Sequence, residues 1–313
     1  KDSRWRDWAL IALAMVPCVV AIWSVDYIPM LDGPKHAYAA HVRANLSEPW
    51  YAAHFSATRP LTAFGFGVVY AALEKGLPWR DALRVALSMI VIGWCAASAG
   101  LARALHPRRW PLAVAGFGAA IQWALLMGFV NYVGSVAIGI GAMAVGLARA
   151  EWSVRRELSV AALLVVGCAF HPFGAQCAGL VLGLALLTST PPRLWIRRLG
   201  ALFLMLTPAL AITLATNEEV RESRFEVAMS GGPRHYMPPL LERLENFGIC
   251  FAGGPTWRAW PLVLLAVVGA CWAAVLLVRR RHLRSAELPL VVFAVLMTAL
   301  ALSLPFHGDA WQF

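Results

Sequence analysis

Acidic side chains are scarce in this chain: 17 Asp and Glu stand against 27 Lys and Arg in 313 residues. Charged residues of either sign make up only 14%, roughly half the share of an ordinary soluble domain. With 60% hydrophobic residues and a mean hydropathy of +0.64, that shortage excludes a disordered chain, a soluble enzyme and a coiled coil. No segment alternates apolar and polar residues with period two, which argues against a β-barrel. The six cysteines show neither Cys-x-x-Cys nor Cys/His zinc spacing. Five of them fall in apolar segments and only Cys250 in a long loop, so they build no disulfide framework. A G-x-x-x-x-G-K-[ST] loop is missing, so the chain carries no ATPase site of that kind. The first apolar run, 8–25, has no small-residue cleavage site after it and reads as a retained helix. The sequence opens on Lys1 and stops after Phe313, and reads as a portion of a longer protein that continues beyond 313.

What remains is a series of apolar runs separated by short arginine-rich loops. This pattern predicts an all-α, polytopic integral membrane protein forming a single transmembrane domain, 1–313, with about nine or ten transmembrane helices. Nine runs qualify: 8–25, 82–102, 112–127, 132–148, 158–170, 173–187, 200–215, 261–278 and 288–305. Several fall short of the roughly 20 residues a straight span needs. The pair within 158–187 is the tightest. A tenth run, 60–73, has only about fourteen residues, with glycine and proline around it, and is read as not fully crossing.

Basic residues favour the cytoplasmic side. With the N-terminus inside, the loops holding Arg103/Arg108/Arg109, Arg149/Arg155/Arg156, Arg193/Arg197/Arg198 and Arg279–Arg281/Arg284 all fall inside. That side then holds 16 Lys and Arg with 5 Asp and Glu; the outer side holds 11 with 12. The net charge of +10 is thus a topology signal for a bacterial-type inner membrane, and no nucleic-acid partner is needed to explain it. Trp5, Trp8, Trp23, Trp110, Trp152, Trp257 and Trp260 cluster near span ends as interfacial anchors.

In this arrangement the polar features gather on the extracytoplasmic face. The first loop, 26–59, carries Asp32-Gly33-Pro34-Lys35-His36, then Tyr38, His41 and Arg43. Gly33-Pro34 is turn chemistry. Asp32 can cap the helix that follows, and His36, Ala40 and Arg43 share one of its faces. The stretch 36–55 suits an interfacial helix. Asp32 is a candidate general base or cation ligand, and Lys35, His36 and Arg43 are candidate phosphate partners; the bland alternative is a capped helix with a solvated basic face. Asn131, in the turn Gly128-Phe129-Val130-Asn131-Tyr132, either binds substrate or caps the next helix. His171-Pro172 separates two apolar half-helices, where an ionisable group is costly; His171 is an anion or proton partner, or simply marks the turn. In the second large loop, 216–260, Arg234 and His235 beside Gly231-Gly232 suit an anion or a substrate-gating segment. His307-Gly308-Asp309 falls on the same face.

The layout of a first span, then Trp23-Ser24-Val25-Asp26, Asp32-Gly33-Pro34-Lys35-His36 and a juxtamembrane stretch to residue 59, resembles the GT-C class of polyprenyl-phosphate-sugar-dependent glycosyltransferases. The resemblance covers the first sixty residues and the multispan plan. It implies sugar transfer from a lipid-linked phosphate at the extracytoplasmic face. Asp32 would then deprotonate the acceptor or hold a divalent metal, and basic residues would hold the lipid phosphate. This chain has Asp-Gly-Pro-Lys-His where many members carry an Asp-Glu pair. No cofactor is evident in the residues themselves. The expected partners are a lipid-linked phosphate substrate, membrane lipids and other membrane proteins. Two other readings stay open: a non-catalytic subunit of a larger membrane complex, and a lipid or solute transporter.

Overall fold

The computed structural model describes residues 2–55, 63–107, 110–148, 153–189 and 199–212, together with 196, 214, 235–236, 291–292 and 306–307. The described residues are all-α apart from one two-residue bridge, His235–Tyr236 paired antiparallel with Phe306–His307. The helices are α1 (Asp2–Trp23), α2 (Gly33–Ala44), α3 (Pro49–His54), α4 (Gly65–Glu74), α5 (Trp79–Leu105), α6 (Trp123–Leu126), α7 (Val130–Gly146), α8 (Val154–Phe170) and α9 (Pro172–Ser189). A further helix, α10 (Leu199–Ile212), follows. The expected spans 261–278 and 288–305 lie outside the described residues, except 291–292, which are helical.

The long elements run up and down between two ends. At one end Trp8 of α1 packs on Trp110, ring centroids 4.7 Å apart, with the Arg103 guanidinium over both rings. At the other, Trp23 Nε1 donates to Ser88 Oγ at 3.1 Å and Arg84 donates to the Val25 carbonyl at 2.7 Å. α5 therefore returns antiparallel to α1. α7 runs parallel to α5: Gly100 faces Ala144 near their C-termini, while Ile90 and Gly134 line one cavity further up. Parallel neighbours need a crossing between them, and residues 110–127 supply it. Trp110–Ala120 is a 3₁₀ helix, which rises about 2.0 Å per residue against about 1.5 Å for an α-helix. Eleven residues thus cover roughly 22 Å, which is how so short an apolar run reaches from one end to the other.

At the Arg103 end, Arg156 in the first turn of α8 donates to the carbonyls of Val145, Gly146 and Ala148 at 2.6–2.9 Å. These are among the carbonyls that α7 leaves without an intrahelical partner. α8 and α9 are then joined by the single residue His171, in extended conformation (φ −164, ψ 135). The sequence set two short runs, 158–170 and 173–187, on either side of the break at His171-Pro172. The structure has an antiparallel hairpin of 17- and 18-residue helices there, because Pro172 starts a helix well but cannot continue one. α10 packs back along α9, with Leu202 at Gly183 and Leu206 at Gly179.

Among the described residues, two helical stretches, Trp5–Trp23 and Trp79–Leu105, are long and apolar enough to cross a membrane; Gly65–Glu74, Gly116–Leu126, Val130–Gly146, Pro172–Ala185 and Leu199–Ile212 are apolar but shorter. The α1 residues Ile11, Cys18 and Ile22 are buried on one stripe, while Leu10, Leu13, Val16 and Val20 on the others are about half exposed or more. The expected single helix over 36–55 is in fact two. Asn45 closes α2, its Nδ2 donating to the His41 carbonyl at 2.9 Å, and Pro49 opens α3 after a short turn.

Candidate functional site

Four chain turns meet at the end opposite Arg103. The loop before α2 is tied to the turn after α6: Leu31 N–H donates to the Leu126 carbonyl at 3.0 Å and Asp32 N–H to the Met127 carbonyl at 3.1 Å. Gly128 makes this approach possible. Its φ is +92, and a β-carbon there would sit 2.5 Å from the Gly33 nitrogen and 2.7 Å from the Asp32 backbone. Both facts call for glycine. Three residues on, Asn131 in the first turn of α7 clamps the start of α4: its Oδ1 accepts from Phe66 N–H at 2.9 Å and its Nδ2 donates to the Ala63 carbonyl at 2.8 Å. Phe64 N–H in turn donates to the Ala169 carbonyl at the end of α8 at 3.1 Å.

Asp32 occupies the N-cap position of α2, but its backbone is in the right-handed helical region and its carboxylate makes no capping hydrogen bond. An extended backbone is what lets an N-cap side chain turn back onto the helix. The half-buried carboxylate is therefore not committed to capping. Lys35 and Arg43 are exposed and His36 half-buried. Burial holds the His36 pKa below the ordinary histidine value of 6.5; the Asp32 carboxylate works against that and Lys35 adds to it. Asp32, Lys35 and His36 thus form one local group on the first turn of α2. Arg43 lies eleven residues on, roughly 16 Å along the helix axis, and does not belong to it.

His171 lies beside the first turns of α7 and α9, and among the described residues none of its contacts is to the Asp32 group. Its carbonyl accepts from the Ser135 hydroxyl, and its Nδ1 accepts from Phe173 N–H at 3.3 Å. That bond places the proton of the neutral ring on Nε2. The ring stands edge-on to Tyr132 at 5.8 Å. Burial lowers its pKa too. Ser135 is fully buried and also accepts from Gly174 N–H at 3.1 Å, where α7 and α9 approach so closely that a side chain at position 174 would strike the Ser135 carbonyl. Asn131 is only 6% exposed with both ends of its amide bonded to backbone, so its place in the structure is that of a clamp on α4. Beneath these turns an apolar cavity of about 150 Å³ is lined by Phe66, Val69, Ile90, Gly134 and Phe170, among others.

Of the remaining candidates, Arg234 lies outside the described residues. His235 is placed only by its backbone, opposite His307 in the two-residue bridge. The described residues contain no group of three or more His, Cys, Asp or Glu able to hold a metal ion.

Sequence reasoning passed over the partners of His41. Its Nδ1 is 2.8 Å from Glu74 Oε1 and its Nε2 2.8 Å from the Tyr51 hydroxyl. Tyr70 also donates to Glu74 Oε1, at 3.1 Å. Burial and the adjacent carboxylate both push the Tyr70 pKa up, so it stays a donor. The one available sequence signal is that Glu74 is a lone acid closing an apolar run. The chain matches no protein-family model, no curated protein and no solved structure.

Proposed function

We propose that this chain is a polytopic membrane protein with the N-terminus of α1 in the cytoplasm, and that its Asp32 end acts on a lipid-linked phosphate in the manner of a GT-C-like glycosyltransferase. The observation that carries the reading is the uncommitted, half-buried Asp32 carboxylate beside Lys35 and His36. The alternation of helix direction supports the membrane setting: it puts the C-terminal ends of α5, α7 and α9 at one end and the Asp32 turn at the other. So do the exposed apolar stripes, Leu10, Leu13, Val16 and Val20 on α1 and Phe203, Leu204 and Leu210 on α10, which would cost about 25 cal/mol per Å² of apolar area left in water. α4, ten residues long, covers only about 15 Å and would not cross a core of about 30 Å.

A sugar bound through phosphate leaves with a stable anion. Transfer therefore asks for a carboxylate to take the acceptor proton and for cationic groups at the departing charge. Asp32 would serve as the base, with Lys35 and His36, when protonated, at the phosphate. Asn131 would fix the turn behind them, and the apolar cavity would receive part of the lipid chain. His171, half-buried with its Nε2 proton as donor, would be a second phosphate partner. Arg43, Arg234 and His235 have no assigned contact in this scheme. Were a divalent metal bound, as the resemblance implies, Asp32 would hold it and the ion would supply positive charge for the departing phosphate.

The test is transfer from a panel of short-chain polyprenyl-phosphate sugars by the chain in lipid nanodiscs. Wild type should release polyprenyl phosphate, and Asp32→Asn should lower the rate by about 10²–10⁴-fold. Release that Asp32→Asn leaves unchanged would remove the proposed base. Labelling of Lys35→Cys only from the cytoplasmic side would overturn the orientation.

A further inference from the structure

The second half of α2 holds a constellation that the reaction at Asp32 does not use. Glu74 of α4, His41 of α2 and Tyr51 of α3 form an unbroken line, carboxylate to imidazole to phenol, with both links at 2.8 Å. The carboxylate can only accept, so His41 Nδ1 carries the proton and donates to Glu74. Nε2 is then left with its lone pair toward the Tyr51 O–H. Tyr70 holds the carboxylate from its far side, which fixes its orientation. The His41 and Glu74 side chains keep 34% and 17% of their exposure, so the line is open to a ligand. A hydroxyl within hydrogen-bond reach of a base, itself oriented by a third group, is the arrangement that activates a nucleophile.

We propose that Glu74, His41 and Tyr51 form a nucleophilic centre, distinct from the Asp32 group, in which Tyr51 accepts an acyl group from a carboxylic ester. In the first step Tyr51 Oη attacks the ester carbonyl carbon and its proton passes to His41 Nε2. The tetrahedral adduct then collapses: the bond from carbonyl carbon to alkoxide oxygen breaks, and the leaving oxygen takes the proton back from Nε2. Tyr51 is left as the acyl ester. Glu74 stays ionised throughout and offsets the transient imidazolium charge. The surroundings favour an ester over a phosphate ester. Among the described residues, the hydrogen-bond and ion-pair partners of these three side chains are Asn45, Tyr70 and one another, with no lysine or arginine among them to hold a phosphoryl charge. The rings around Tyr51 suit an apolar acyl chain: Trp50 at 5.0 Å and Phe55 at 6.2 Å between centroids, with Tyr38 edge-on to Phe55. Trp50 and Tyr38 are more than half exposed, so that wall is accessible.

The proposal is independent of sugar transfer and is tested without any sugar donor. The purified chain in detergent is mixed with p-nitrophenyl butyrate, nitrophenolate release is followed, and the trapped protein is digested and mapped by mass spectrometry. Wild type should give a burst approaching one equivalent, with the butyryl group on Tyr51. Tyr51→Phe keeps the ring contacts and should abolish both burst and adduct. His41→Asn should slow acylation by about 10²-fold or more, and Glu74→Gln by a smaller factor, each measured on protein that keeps a cooperative thermal transition as the check on folding. No adduct on Tyr51 in wild type, or a burst that persists in both Tyr51→Phe and His41→Asn, overturns the proposal.

Discussion

The two ends of helix α2 place ionisable groups in opposite situations. At its N-terminus, Asp32 caps nothing and Lys35 is exposed. At its C-terminal half, His41 is bonded through both ring nitrogens and Glu74 receives two donors. A group without a fixed partner is available to a ligand, and removing it costs little stability. A group inside a satisfied network is held in one geometry, and removing it leaves others unsatisfied. The same residue types are thus left uncommitted at one end and held in one geometry at the other.

This contrast can be broken by substitution. Asp32→Asn should carry the largest effect, a fall in sugar transfer of about 10²–10⁴-fold, with the melting temperature unchanged in the same detergent. A clear loss of stability would mean that the carboxylate is structural after all. Asn131→Ala should do the reverse. It strands the buried Phe66 N–H, at about 1–3 kcal/mol for the group left unsatisfied, and releases the exposed Ala63 from the clamp, read by thermal unfolding. Gly128→Ala should follow, at about 1–3 kcal/mol from backbone strain plus displacement of the Asp32 turn. Glu74→Leu should cost about 1–3 kcal/mol by leaving His41 and Tyr70 without their acceptor; an equal cost for Asp32→Leu would erase the contrast.

The smallest effect is one of pH. Burial depresses the folded-state pKa of His36, so the folded chain favours the neutral ring. The associated stability is complete above the unfolded value near 6.5 and is lost as pH falls below it toward the folded value. His36→Gln should flatten melting temperature against pH in that window. An unaltered slope would show that His36 is not the group responsible.

Much of the helical plan was legible in the sequence, because apolar runs with basic ends are local signals. The runs at 8–25, 82–102, 132–148 and 173–187 each fall on a helix whose ends lie within a few residues. Pro34 and Asp32 announced the start of α2, and His171-Pro172 the break between α8 and α9. The run 112–127 was visible as apolar, but its 3₁₀ form was not, since that choice depends on the distance to be covered between α5 and α7. Asn131 was read as a substrate group or a cap on its own helix, yet its partners are Ala63 and Phe66, sixty-five and more positions away. Gly128 was read only as part of a turn; its positive φ answers to the backbone of Asp32 and Gly33. His41 and Glu74 are likewise thirty-three residues apart. Contacts of this kind follow from which helices become neighbours, and no window along the chain contains that information.

The parallel packing of α5 on α7 imposes an order on assembly. Neighbours that point the same way cannot form as a simple hairpin, so residues 110–127 must traverse first. In the membrane setting proposed above, a narrow 3₁₀ coil with poorly aligned backbone bonds is a poor solo occupant of hydrocarbon. It has shelter ready beside it in α1, where the Cys18 thiol meets the Phe117 carbonyl at 3.7 Å. The ribosome delivers α1 and α5 before this coil and α7 after it. The N-terminal helix is therefore a cradle for the middle of the chain, and deleting it should strand α7 far from where it functions.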